Sequence, residues 1–324
     1  MADRYARIIT LVQDMPWAIL PAKLAAIKSL LQLRSAGLTL TAEDVRARLG
    51  GDPPTRQDPR INGAGVAVLP VFGVIAQRMD LFAEMSGGTS TETLARDFRT
   101  FRDNAQVKAI VLAVDSPGGG VYGIDELATE IRAARGLKPI VAVADSVAAS
   151  AAYWLASQAD ELIVTPGGQV GSIGVFTAHD DVSKMLDELG VTTTLISAGK
   201  YKVEANPFEP LSKDAKAALQ ATVDQYYARF LQAVAAGRHV SAAAVEAGYG
   251  QGRMLTSADA LAAGMVDRID TLDATIARLS AVAAASALSS LHATGTAQEP
   301  VRVTAQDRRR QSQQLALAGA LLDL

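Results

Sequence analysis

The chain has 324 residues, 49% hydrophobic and 20% charged, a balance that supports a large buried core and an ordinary globular protein. Its 31 Lys and Arg against 34 Asp and Glu leave a formal charge of -3, which gives no electrostatic case for nucleic acid. The absence of cysteine excludes disulfides, thiolate metal sites and a thiol nucleophile, and three histidines (His179, His239, His292) leave few positions for an imidazole mechanism.

From the N-terminus, Asp3, Arg4, Arg7 and Asp14 interrupt the apolar positions of Met1 to Leu20, unlike a signal peptide. No 18 consecutive apolar residues occur anywhere; the nearest approach, Ala281 to Leu291, is short and broken by serines. The expectation is a soluble, cytoplasmic protein without a membrane span. Leu24, Ile27, Leu30 and Leu31 recur at helical spacing, and Thr41 with Asp44 forms a capping-box pattern. Gly50-Gly51-Asp52-Pro53-Pro54 through Pro59 reads as a linker, so residues 1–60 are expected to be a helical arm and linker.

Apolar, β-branched runs follow at Val66 to Ile75, Ala109 to Val114, Pro139 to Ala144, Glu161 to Val164 and Thr192 to Ile196. Helical patterns lie between them, at Ser90 to Asn104, Ile124 to Arg135, Ala149 to Gln158 and Val182 to Leu189. Strands alternating with helices predict an α/β fold with parallel pairing. A long helix is expected from Ser212 to about Ala236, then a strand-like Met265 to Ile269. After residue 280 the chain turns Ala/Ser-rich, then Gln-rich, with Arg308-Arg309-Arg310 and a last Leu/Ala stretch. The expected organisation is therefore an arm at 1–60, a core at 61–280 and a partly disordered, partly helical tail at 281–324.

Two turns carry candidate chemistry. Asp115-Ser116-Pro117-Gly118-Gly119-Gly120 leaves a buried strand, and its glycines let backbone N–H groups line a concavity suited to an oxyanion or a phosphate. No Gly-Lys-Ser/Thr follows, so it is not a Walker loop, and the bland alternative is a plain turn. The second is Asp145-Ser146-Val147-Ala148-Ala149-Ser150-Ala151-Ala152-Tyr153, again where a strand yields to a helix. A serine there gains the positive end of the helix dipole and the free N–H of the next residue. The bland alternative is that Ser146 or Ser150 caps the helix. A serine nucleophile needs a base. His179 with Asp180 is one candidate; Lys200 and Lys202 are the others, and a lysine serves only where burial favours its neutral form. Spacing does not choose among the three.

Taken together, Ser116-Pro117-Gly118-Gly119-Gly120, Ser146 to Tyr153, Gly171-Ser172-Ile173-Gly174-Val175 and Gly199-Lys200-Tyr201-Lys202 resemble, in order, the motifs of the signal peptide peptidase A family. The resemblance covers residues 65 to 275. It implies a Clp protease/crotonase-like fold of repeated ββα units, with Ser150 as nucleophile and Lys202 as general base. It further implies Ser172 as the residue that orients the lysine, and an oxyanion hole from Gly118 or Gly119 with the N–H of Ala151. No cofactor and no metal are implied. The partners implied are polypeptide substrates and further copies of the chain, in a ring whose protomers share the active site.

Ala151-Ala152 stands where the family often has Gly-Gly, and the N-terminal anchor of the membrane-bound members has no counterpart in this sequence. The arm, the Gly199 to Pro210 stretch and the Ala/Gln-rich tail are most similar to the phage branch, the head-maturation proteases. The expected activity is thus cleavage of capsid, portal or scaffold proteins in host cytoplasm or procapsid, the tail acting as a scaffold or procapsid-targeting segment. The alternatives are a soluble bacterial peptidase of the same family, a catalytically idle scaffold protein, a Ser-His-Asp peptidase using His179 and, more distantly, a crotonase.

Overall fold

Two prolines decide how the described chain begins. Pro16 and Pro21 bracket four apolar residues, too few for a helix, and a residue before proline is biased to extended backbone. In the computed structural model, which describes residues 15–38, 40, 41, 44, 47, 48, 58–78 and 88–295, strand β1 (Trp17–Ile19) forms there. Helix α1 (Pro21–Ser35) follows, with proline in its first turn. The arm expected to be helical thus opens as a strand. Its Trp17, Ile19, Leu24, Ile27, Leu30 and Leu31 bury against Val74 in a small apolar cluster of their own. Burial of Trp17 and Ile19 contributes about 2–3 kcal/mol each to that docking. Beyond α1 the capping pattern is present: Asp44 N–H donates to Thr41 Oγ1 (3.1 Å), and Thr41 N–H to Asp44 Oδ2 (2.9 Å). Met1 to Asp14, most of the Gly50 to Pro59 linker, and the Arg308 to Arg310 and Leu/Ala stretches lie outside the described residues.

The apolar runs that follow demand cover on both faces, as strands of a parallel sheet do. β2 (Arg60–Ile61) pairs antiparallel with β3 (Val66–Phe72). Gly73, at φ 63°, ends β3, so the run expected to reach Ile75 continues as a separate short strand, β4 (Ile75–Ala76), parallel to β5 (Thr89–Ser90). Helix α2 (Thr91–Asp103) is capped by Ser90, whose hydroxyl accepts from Thr93 N–H. The same order recurs in β6 (Ala109–Ser116), β7 (Gly118–Gly120) and α3 (Ile124–Ala133). It begins again with β8 (Ile140–Ala149) and α4 (Ala151–Ala156). β3, β6 and β8 lie parallel side by side, with Val68 opposite Val111 and Val111 opposite Val141. Their side chains alternate in pairs of faces. Leu69, Ile110, Leu112 and Ala142 enter the main core under α2, α3 and α4, while Val68, Val111 and Val143 face Ile163 and Leu279.

β8 is long enough to serve two neighbours. β9 (Glu161–Val164) pairs with its first half and β10 (Gln169–Gly171) with its last residues. The short α5 (Ser183–Glu188) precedes the stretch expected to be a strand at Thr192 to Ile196, which has no regular structure. Strand propensity here finds no packing partner among the described residues: residues 187–202 are all exposed. Helix α6 (Lys213–Arg238) buries Phe230, Leu231, Val234 and Ala235 in the main core. Then come α7 (Ala242–Gly248), β11 (Met254–Thr256) on the edge of β10, α8 (Ser257–Ala262), β12 (Arg268–Ile269) beside β9, and α9 (Leu272–Gly295). The strand expected at Met265 to Ile269 is confined to its last two residues. The result is the mixed α/β fold expected, with a smaller sheet, ordered β1-β7-β4-β5, beside the large one. Residues 281–324 divide from residues 1–280 as a second unit, whose described part through Gly295 is helical. Among the described residues no helix is long and apolar enough to cross a membrane.

The last strands are fastened to α6 by one carboxylate. Arg238 donates twice to Asp267, at 2.8 and 2.6 Å, and Leu162 N–H donates to it at 2.7 Å. Burial alone would raise the Asp267 pKa; the hydrogen bonds from Arg238 and Leu162 and the charges of Arg238 and Arg135 outweigh it and hold the carboxyl below its usual value. A depressed carboxylate stabilises the fold above its unfolded pKa and loses that contribution as pH falls through the folded one. Asp267→Asn should therefore lower the calorimetric Tm at pH 7 by about 3–6 °C. The gap to wild type should close in acid; a gap that is constant with pH would show that the ionised carboxylate contributes nothing.

Candidate active site

The parallel register that pairs Ala149 with Gly171 brings two serines to the same end of the sheet, because Ser150 and Ser172 are the next residues on each strand. A bulge aims the first of them. Between Val114 and Ser116 β6 advances two residues while β8 advances four, from Ala144 to Ala148, and the extra loop carries Ser146 at φ 105°. Ser150 then sits at φ 56°, ψ -118°, outside the regions a non-glycine residue ordinarily adopts. Its N–H donates to Gly171 O at 2.7 Å, and its carbonyl accepts from Trp154 N–H at 2.9 Å. The Ser150 side chain makes no capping bond to α4, so the capping alternative does not apply. Its hydroxyl donates instead to Gly174 O at 3.4 Å. A strained serine between a strand and a helix, freed from capping, is a candidate nucleophile.

α4 holds this geometry by being entirely buried. Trp154 stacks on Phe230 with ring centroids 4.6 Å apart, and Tyr153 Oη donates to Met265 O at 2.9 Å. Burial pushes the Tyr153 hydroxyl far up, so it stays a neutral donor. The N–H of Ala151, in the first turn of α4, has no acceptor within the helix and is available to an oxyanion.

The glycine turn lies directly against Ser150. Gly118 adopts φ 96°, and a Cβ built on it would lie 3.0 Å from the Ser150 Cβ and 2.3 Å from Ala18 O. A Cβ on Gly119 would lie 1.7 Å from Ile75 O, so only glycine fits between β7 and β4. Ser116, which the sequence pattern contained without a role, locks the turn. Its buried hydroxyl donates to Gly73 O at 2.6 Å and accepts from Gly118 N–H at 3.1 Å. Beside it, burial and the charge of Asp145 raise the pKa of the half-buried Asp115, with Val147 N–H and Lys23 opposing.

The candidate bases fall elsewhere. Lys200 and Lys202 lie on the exposed stretch after α5; Lys202 N–H closes a turn onto Gly199 O at 3.1 Å, and the Lys200 ammonium lies 4.7 Å from the Tyr201 ring centroid. His179 Nε2 contacts Asn206 O at 3.0 Å, and Asp180 is ion-paired with Lys28. Among the described residues no hydrogen bond joins Ser150 to Lys200, Lys202 or His179. Ser172 is buried, at φ 53°, with its N–H on Arg253 O at 2.8 Å. One chain therefore assembles Ser150, Ser172, Gly118, Gly119 and Ala151 in buried surroundings, while Lys202 is exposed and bonded to none of them. Among the described residues no group of acidic and histidine side chains has the form of a metal site.

A serine nucleophile beside a glycine-lined oxyanion turn is the apparatus of a serine hydrolase, and comparison with known proteins narrows the class. Residues 132–286 match the model of peptidase family S49, so this part of the chain is similar to the peptidases of that family. It is 35% identical over 205 residues to capsid assembly protease C of Escherichia phage lambda, covering 62% of this chain and 47% of that protein. It is 32% identical over 214 residues to head-tail preconnector protein GP5 of Enterobacteria phage P21, covering 66% and 42%. Protease 4 of Haemophilus influenzae is 32% identical over 205 residues, covering 63% and 32%. The chain thus spans less than half the length of these relatives. Similar solved structures include a ClpP1 variant from Listeria monocytogenes (TM-score 0.41, 12% identity, 63% of this chain and 91% of that one). ThnE from S. clavuligerus is another, at the same score and identity, covering 70% and 85%.

Ser116→Ala should leave Gly73 O and Gly118 N–H unpaired in a buried turn, costing about 1–3 kcal/mol of stability. It should also slow peptide cleavage about tenfold or more through a displaced oxyanion turn. Thermal melting and kcat together check this; unchanged kcat with lowered Tm would reduce Ser116 to a structural role.

Proposed function

We propose that the protein is a Ser–Lys endopeptidase whose site is completed between protomers, Ser150 coming from one copy and Lys202 from the next. The observation that carries this reading is the division just described: Ser150 and the candidate oxyanion donors are built into the core, while Lys202 lies on a segment that no described residue covers. That segment is unusually apolar for an exposed one. Leu189 is 69% and Ile196 96% exposed, with Met185, Val191, Leu195, Tyr201 and Phe208 nearby. Exposed apolar surface of this extent marks an interaction face, and a second copy of the chain is the proposed partner.

In the completed site Lys202 removes the Ser150 Oγ proton as the oxygen attacks the scissile carbonyl. The N–H groups of Gly119 and Ala151 receive the oxyanion. The lysine returns its proton to the leaving amine, and a water activated by the same lysine then frees Ser150 from the acyl group. Ser172 orients the lysine.

The similarity to a phage capsid assembly protease supports capsid, portal or scaffold proteins as substrates, cleaved in the host cytoplasm or procapsid, with residues 281–324 directing the protease there. The similarity to protease 4 supports a second reading, a bacterial polypeptide peptidase. Cleavage of purified capsid and scaffold proteins but not of unrelated polypeptides would favour the first.

Casein and self-cleavage assays on four variants test the dyad. Ser150→Ala and Lys202→Ala should each lose at least about 10³-fold in rate, and Lys200→Ala and His179→Ala less than about threefold. Mixing the two inactive variants should restore measurable activity, because some interfaces then pair an intact serine with an intact lysine. Loss in His179→Ala with survival in Lys202→Ala would replace the dyad by a Ser–His pair. No recovery on mixing would place the dyad within one protomer.

A further inference from the structure

Cleavage at Ser150 requires an extended substrate backbone whose scissile carbonyl lies between the serine hydroxyl and the N–H groups of Gly119 and Ala151. The Gly119 N–H lies on one strand edge, the side of β7 that faces away from β4. That edge is already taken by the chain itself. β1 pairs antiparallel with β7, Trp17 opposite Gly120, Ala18 opposite Gly119 and Ile19 opposite Gly118. Leu20 N–H donates to Pro117 O at 2.9 Å and Val121 N–H to Pro16 O at 3.4 Å. Hydrogen-bonded pairs alternate along an antiparallel ladder, so Ala18 and Gly119 are the hydrogen-bonded pair between these two. The Gly119 N–H thus points at the Ala18 carbonyl oxygen.

The other edge of β1 is closed as well. Trp17 N–H donates to Phe176 O at 2.8 Å, and Phe176 N–H donates to Trp17 O at 3.0 Å. The segment from Ser172 through Gly174 to Phe176 passes the Ser150 hydroxyl on its way there. β1 therefore runs in a slot between the oxyanion strand and the segment after Ser172. Its central carbonyl oxygen and the Ser150 side chain both border the position that a Gly118 Cβ would take. The position a Gly118 Cβ would take is 2.3 Å from Ala18 O and 3.0 Å from the Ser150 Cβ, which bounds the separation of those two atoms by the two distances together.

We infer that Trp17–Ile19 is an intramolecular pseudosubstrate: it fills the peptide slot of Ser150, sets the Ala18 carbonyl where a scissile carbonyl would bind, and keeps the enzyme latent until it is displaced. The inference rests on the reading of Ser150 as nucleophile. The packing suits a removable strand. Trp17 and Ile19 bury in the small cluster of α1 and Val74, with Phe176 against it, and only the methyl of Ala18 enters the main core. Outside that cluster, the arm is tied down by the Lys28–Asp180 ion pair, on the same segment as Phe176. Loosening the arm thus opens the slot without opening the core.

The test measures the rate at which a serine-directed fluorophosphonate labels Ser150 in the full chain, with Ser150→Ala as the blank. Trp17→Ala combined with Ile19→Ala should raise the labelling rate at least about tenfold, because the fraction of open sites limits the rate in the wild type. Lys28→Ala, which leaves both apolar clusters intact and guards against a misfolded double variant, should raise it about twofold to fivefold. Excess synthetic peptide Met-Pro-Trp-Ala-Ile-Leu, the sequence of residues 15–20, should slow labelling of the opened variants. Equal rates in wild type and both variants, with unchanged melting, would make β1 a structural strand only and leave the nucleophile standing. Cleavage of the wild type between Ala18 and Ile19 would make β1 a substrate and overturn its inhibitory role. Labelling of no chain at Ser150 would refute the nucleophile itself.

Discussion

Everything at the site depends on one backbone constraint, the positive φ of Ser150 at the exit of β8. A serine does not adopt φ 56°, ψ -118° unless its neighbours impose it, at a cost on the order of 1–3 kcal/mol. Three of them do. Gly171 takes its N–H, the buried α4 takes its carbonyl, and the turn of β7 approaches so closely that a side chain on Gly118 would meet its Cβ. The strain removes the side chain from its usual capping task and leaves the hydroxyl beside two sets of backbone donors. The long apolar sheet serves to hold those three neighbours in register, and a mixed α/β core with both faces covered is rigid enough to do so.

The same constraint explains the division of labour between core and surface. The proposed nucleophile and oxyanion donors need accurate placement, and they lie at strand ends and on a buried helix. A general base needs only to arrive with the right proton state, and the candidate lysine sits on an apolar segment suited to burial against another copy. In the proposed reading, a protease divided in this way would be inactive as a separate chain and competent on assembly. The strand Trp17–Ile19 would add a second level of control, acting on substrate entry where the interface acts on the base.

Much of this was legible in the sequence, for identifiable reasons. Val66 to Phe72, Ala109 to Val114 and Glu161 to Val164 are strands because β-branched residues bounded by turn formers have one low-energy fate in a covered sheet. Ser150 and the glycines of residues 118–120 stood out because a strand-to-helix junction rich in small residues offers backbone donors. Other features depend on tertiary context. Thr192 to Ile196 has strand-like composition but no partner to pair with, and its local preference counts for nothing when every side chain is exposed. Trp17–Ile19 is too short to show a period, and only its two flanking prolines hinted at extended backbone. The role of Ser116 rests on a contact with Gly73, 43 residues earlier, that no local pattern reveals. The choice among Lys200, Lys202 and His179 was not in the spacing either, because it concerns a contact between groups far apart in the sequence.

The most direct measurement is the structure of the assembled protein with Ser150 acylated by a peptide aldehyde or a fluorophosphonate. The account predicts Lys202 of a neighbouring copy within hydrogen-bond distance of the Ser150 oxygen, about 2.6–3.2 Å, with the adduct oxygen on the N–H groups of Gly119 and Ala151. An assembly in which Lys202 stays in solvent in every copy while His179 or Lys200 approaches Ser150 would contradict it.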